Sequence, residues 1–97
     1  MMQEVILVAH IWAEKDKYIE LKRELASLVK QTLAEPGCMQ FDLHQAEKEP
    51  HSFVLWERFK NQSAFDKHMQ QSYTKTYFEL VKPHLTESTE SIKLNQI

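Results

Sequence analysis

A single glycine stands in these 97 residues, and it follows a proline, in Glu35-Pro36-Gly37-Cys38. The hydrophobic period changes across this point. Before it, Tyr18, Leu21, Leu25, Leu28, Val29, Thr32 and Leu33 recur at three- and four-residue spacing, one apolar stripe on a helix of about four to five turns. Lys22, Arg23, Glu24, Lys30 and Gln31 fall mostly off that stripe and read as a solvated face. After it, Met39, Phe41 and Leu43 alternate with Gln40, Asp42 and His44, the pattern of a half-buried strand. Pro36 ends the helix, and Gly37 is expected to supply the permissive backbone that reverses the chain.

The remaining segments read in the same way. Val5 to Ala13 is a strand with two largely apolar faces: Val5, Leu7, Ala9 and Ile11 on one, Ile6, Val8, His10 and Trp12 on the other. Asp16 or a neighbour is expected to cap the first helix. A polar connection, Ala46 to His51 with Pro50, joins the second strand to a third over Ser52 to Lys60. The third strand places Phe53, Leu55, Glu57 and Phe59 on one face and Val54, Trp56 and Arg58 on the other. Ser63 with Asp66 resembles a capping box opening a short helix, and Ser72 offers a second cap. Tyr73 to Lys82 continues helically to Pro83, with Tyr77, Phe78 and Val81 as expected anchors. Ile92 and Leu94 alternate in a fourth strand within Glu90 to Ile97.

The order is β-α-β-β-α-β with the second helix broken in two. It predicts an α+β fold, ferredoxin-like, with helices on one face of an antiparallel sheet. Residues 1–97 are expected to form one domain, since one core serves a chain of this size. The first and third strands keep apolar residues on the face without helices. A homodimer is therefore expected, two sheets packing into a dimeric α/β barrel.

Composition excludes several function classes. A formal charge of −2 provides no basic field for nucleic acid or an anionic membrane surface. The run from Val5 to Trp12, interrupted by His10, is too short to span a bilayer and lacks the flanks of a signal peptide. One cysteine builds no intrachain disulfide framework, so a cytoplasmic setting is expected. Cys38, with no base adjacent in sequence, reads as a small buried hydrophobe. His10, His44, His51, His68 and His84 show no spacing suited to a metal. With one glycine there is no glycine-rich phosphate loop, so neither a flavin nor a nicotinamide is expected, nor any other cofactor.

Glu35-Pro36-Gly37-Cys38-x-x-Phe41, Pro50, Phe53 to Phe59 and Ser63 to His68 together resemble the antibiotic biosynthesis monooxygenase domain family, over roughly residues 3 to 95. The resemblance implies a dimeric α+β barrel with a pocket between helices and sheet in each subunit. Phe41-Asp42-x-x-Gln45, Glu57 among aromatics and Phe65-x-x-His68 look like the quinol monooxygenase and autoinducer-phosphate-processing subgroup. Other members oxidise quinols or polycyclic phenols with oxygen and no cofactor. A haem-degrading branch is a poor match: its asparagine, tryptophan and histidine positions hold Ile11, His68 and Phe78 here.

Two residues carry the chemistry this implies. Glu57 is a carboxylate on an aromatic strand face, costly to bury unless paired or protonated. His68 lies one helical turn after Ala64 and Phe65, so it can face the sheet and act as a base near neutral pH. If Glu57 holds one ring nitrogen, the other is free to take a proton. Phe41, Trp12, Trp56, Tyr73, Tyr77 and Phe78 are candidate walls of an aromatic pocket, although core packing alone explains any one of them. Many relatives carry a second histidine where this chain has Tyr73. The leading expectation is a monooxygenase acting on a small hydroquinone or polyphenol with O2, His68 being the general base. The alternatives are an isomerase of a small phosphorylated carbonyl compound, with Lys60, Lys67 or Lys75 as phosphate contacts, and a non-catalytic ligand-binding dimer.

Overall fold

A computed structural model describes residues 3–97; Met1 and Met2, part of the expected 1–97 domain, lie outside the described residues. The elements are β1 (Val5–Trp12), α1 (Tyr18–Leu33), β2 (Cys38–Gln45), β3 (Ser52–Phe59), α2 (Gln62–Gln70), α3 (Ser72–Val81), a 3-10 turn over Lys82–His84, and β4 (Glu90–Leu94). The sheet runs β2-β3-β1-β4 with every neighbouring pair antiparallel. This is the ferredoxin-like α+β arrangement that the hydrophobic pattern predicts.

Strand parity separates the two sheet faces. Val5, Leu7, Ala9 and Ile11 of β1 are buried beneath the helices, as are Phe53, Leu55, Glu57 and Phe59 of β3. The intervening residues, Ile6 to Trp12 on β1 and Val54 to Arg58 on β3, are only half-buried. On β4, Lys93 sits opposite Leu7 on the helix side, whereas Ile92 and Leu94 pair with Val8 and Ile6 and extend the open face.

Helix α1 buries Leu21, Leu25, Leu28 and Thr32, the predicted stripe, but Leu33 at its end is exposed. Neither predicted cap of the first two helices forms. Lys17, not Asp16, precedes α1, and no side chain caps that end. At α2 the cap is Asn61, whose Oδ1 accepts from the Ala64 amide at 2.8 Å; Ser63 lies inside the first turn. An extended Gln71 breaks α2 from α3 and occupies the cap position expected of Ser72. Of the predicted α3 anchors, Tyr77 and Val81 are buried while Phe78 stays 44% exposed.

Gly37 also acts differently from expectation. It does not adopt a positive φ. A β-carbon at this position would collide with that of Ala64. The glycine is therefore a close-approach site that lets α2 settle onto the α1–β2 turn. The Gly37 carbonyl fixes the same junction by accepting from the Lys60 amide at 2.9 Å.

Candidate active site

The docking of α2 on Gly37 orients the side chain one helical turn further on. Ala64 and His68 share a helix face, so seating Ala64 on the turn directs the His68 ring toward the sheet. The ring lies 4.9 Å from that of Phe59 and 5.5 Å from that of Phe41, and the residue is only 3% exposed. Its Nδ1 is 2.9 Å from Glu35 Oε2. A carboxylate can only accept, so Nδ1 donates and the lone pair of the neutral ring is on Nε2. Nε2 makes no hydrogen bond with any described residue. The Tyr73 hydroxyl, reaching from α3, donates to the same oxygen of Glu35. Burial and the neighbouring Glu35 raise the Tyr73 pKa above its ordinary value, so it remains a donor.

His68 forms part of the wall of a cavity of about 340 Å³ between the sheet and the α2–α3 pair. Its floor includes Leu7, Phe41, Leu55 and Glu57, and its roof His68, Thr74, Tyr77 and Phe78. That volume is at the small end of ligand pockets, about 300–1,000 Å³. A larger groove, about 530 Å³, lies along Gln3 to Ile6 and Lys93 to Asn95, but no buried ionisable side chain faces it. The smaller cavity is the one with buried ionisable side chains, Glu57 and His68, on its walls.

Glu57 has Phe41 and Leu7 as cross-strand neighbours, and Lys93 lies beyond Leu7 in the same row. It is 7% exposed and has no hydrogen bond to a described residue. Burial pushes its carboxyl up to about 7, so near neutral pH it can either take or give a proton. Burial, and Glu57 nearby, also raise the Tyr77 hydroxyl above its usual range. Thr74 lines the cavity, and its buried Oγ1 has no partner among the described residues. The site is thus an apolar chamber with unpaired polar atoms on its walls.

Several expectations need correcting. Glu57 and His68 share the cavity, but no hydrogen bond joins them; the carboxylate on His68 is Glu35. Of the candidate aromatic walls, Phe41, Tyr77 and Phe78 line the cavity. Trp12 and Trp56 do not: they stand on the open sheet face, Trp12 stacked 3.9 Å from the ring of His10. Their strand parity excludes them, whatever their aromatic character. Tyr73 is turned to Glu35 and is not on the cavity wall. Lys60, Lys67 and Lys75 are exposed and off the cavity; the cation at its rim is Lys93. Cys38 is half-buried, and burial raises its thiol to about 11, which leaves little thiolate. The residue that sequence reading missed is Glu35. Its signal was its place two residues before the only glycine, where the missing side chain lets α2 come close.

Residues 4–80 match the antibiotic biosynthesis monooxygenase family. An uncharacterised protein of Synechocystis is 27% identical over 93 residues, 96% of this chain but 63% of that protein, so the chain spans less than two thirds of that relative. YcnE of Bacillus subtilis, a proposed monooxygenase, is 32% identical over 69 residues, 71% of this chain and 73% of YcnE. The solved structure of PA3566 from Pseudomonas aeruginosa has a TM-score of 0.93 at 28% identity, covering 100% of this chain and 97% of that one. Sequence match and fold agree over residues 4–80, and the chain belongs to the antibiotic biosynthesis monooxygenase family.

Proposed function

We propose that this chain is a cofactor-independent monooxygenase that oxidises a small hydroquinone or polyphenol with O2. His68 is the general base and Glu57 the second proton-transfer group. The observation that supports this best is His68 on the wall of a small apolar cavity, with Nδ1 held by Glu35 and Nε2 unpaired among the described residues. Membership of the monooxygenase family supports it independently.

The chemistry balances without an external reductant. His68 Nε2 removes a phenolic proton. The phenolate passes one electron to O2, and the resulting radical and superoxide join in one C–O bond at an unsubstituted ring carbon. Loss of that carbon's proton breaks the O–O bond. One oxygen stays as a new carbonyl and the other leaves as water, which takes up both protons. The ring loses four electrons and O2 gains four. Glu57, poised near 7, can carry a proton in the second half of this sequence. The apolar walls exclude water, which would quench the radical pair.

The functional unit is a homodimer in the cytoplasm. The apolar, half-buried face of Ile6, Val8, Trp12, Val54 and Trp56 supports a second copy covering it. Among the described residues no helix is long and apolar enough to cross a membrane. An isomerase acting on a small phosphorylated carbonyl compound is the second reading, favoured by Lys93 at the rim beside two proton-transfer groups. A filled, non-catalytic pocket is disfavoured by the open volume. Oxygen uptake with a panel of reduced quinones tests the first reading. Uptake should fall by about 10²–10⁴-fold in His68→Ala with the fold intact. Turnover that persists under argon would transfer the assignment to the isomerase.

A further inference from the structure

We propose that Glu35 and Tyr73 are positioning residues that hold His68 as the Nδ1–H tautomer, keeping the Nε2 lone pair directed at the cavity. Three segments meet at one oxygen. Glu35 comes from the turn after α1, His68 from α2, and Tyr73 from α3 beyond the break at Gln71. The side chain of Glu35 is only 10% exposed and that of His68 4%, so water has little access to compete for either end of the contact. Which ring nitrogen carries the proton is set by the hydrogen bond that the other makes. Here the only described acceptor on the ring is Glu35.

Tyr73 has a distinct part. A carboxylate side chain on a turn could rotate away from the imidazole. The Tyr73 hydroxyl, donating to the same Oε2, ties that oxygen to α3. Its other described acceptor, the Gln31 carbonyl at 3.4 Å, is on α1 beside the same turn. Tyr73 is therefore a donor that steadies the partner of His68. When Nε2 takes a proton, the imidazolium formed has the Glu35 carboxylate 2.9 Å from its other nitrogen.

Among the described residues no other ionisable group bonds to the ring. Glu57 approaches the cavity from β3 and Tyr77 from α3, neither bonded to His68. Cys38 on β2 is held as the thiol. Lys93 on β4 is taken up by Gln62 Oε1 at 3.2 Å and lies 5.6 Å above the Phe65 ring. Asp66 and Lys67, on α2 itself, are exposed on the outer side.

The assignment rests on His68 being the base of this cavity, yet the tautomer is read without turnover. A negative oxygen assay and a wrong tautomer can therefore be told apart. The experiment is two-bond 1H–15N correlation on the full chain labelled at histidine ring nitrogens, at a pH where imidazole is neutral. The His68 signal is identified by its loss in His68→Gln. The wild type should show a protonated Nδ1 and a bare Nε2. Glu35→Ala should switch His68 to the Nε2–H form, and Tyr73→Phe should produce a mixture. A wild-type Nε2–H tautomer overturns the proposal whether or not any variant folds. A folded Glu35→Ala protein with the wild-type pattern also overturns it. A Tyr73→Phe spectrum identical to wild type removes Tyr73 from the pair.

Discussion

The two faces of the sheet are built from the same strands and have opposite fates. On β1, odd positions are buried under helices and even positions are half-buried and open. On β3, Glu57 takes its place among Phe53, Leu55 and Phe59 beneath the helices, and Trp56, one residue away, stands outside. The difference shows that residue type does not settle role here: a carboxylate lies inside and two tryptophans lie outside. The covered face gives an apolar chamber whose walls include a buried carboxyl and an imidazole. The open face gives a surface that a second copy can use.

The largest effect that tests this contrast is a truncation on the covered face. Phe53 is fully buried, and Phe53→Ala should cost about 3–5 kcal/mol in chemical denaturation. A loss comparable with that of an exposed site would mean that the covered face is not the core.

Next in size is the pH dependence from Glu57. Its folded pKa, about 7, lies above the value of 4.5 for a free side chain. The folded protein therefore prefers the protonated form, whose contribution is complete below 4.5 and is lost as pH rises through about 7. Glu57→Gln removes this loss. It should be close to neutral at pH 4 and stabilising by about 3 kcal/mol above pH 8, as measured by denaturation at a series of pH values. A pH-independent difference would show that Glu57 is not desolvated.

The smallest effect on the stability of one chain should come from Trp56→Ala, about 1 kcal/mol or less, since the residue is half-buried on the open face. Its association should respond strongly. Light scattering should give two chains for the wild type and a shift toward one for the variant. An unchanged mass would break the assignment of the open face as the subunit interface.

Much of the fold is legible in the sequence because it is written in local periods. The α1 stripe, the alternation of β1 to β3 and the division of the second helix are all properties of neighbouring residues. The parts that are not legible depend on distance. Glu35 and His68 are 33 positions apart and meet only because Gly37 lets Ala64 approach. A glycine after a proline suggests backbone freedom, whereas the missing side chain of Gly37 is what the fold uses. Asn61 in place of Ser63 as the cap is a shift of two residues, within the ordinary uncertainty of a helix boundary. The aromatic chemistry of Trp12 and Trp56 suggests pocket walls, although the parity already written along β1 and β3 excludes them.

The central claim is that the covered-face cavity uses His68 to start the insertion of one atom of O2 into a phenolic ring. Turnover of a reduced quinone under 18O2, with products read by mass spectrometry, addresses it most directly. One 18O is expected in the product and one in water, with both signals lost in His68→Ala. Product that forms without label, or label that persists undiminished in a folded His68→Ala protein, would contradict it.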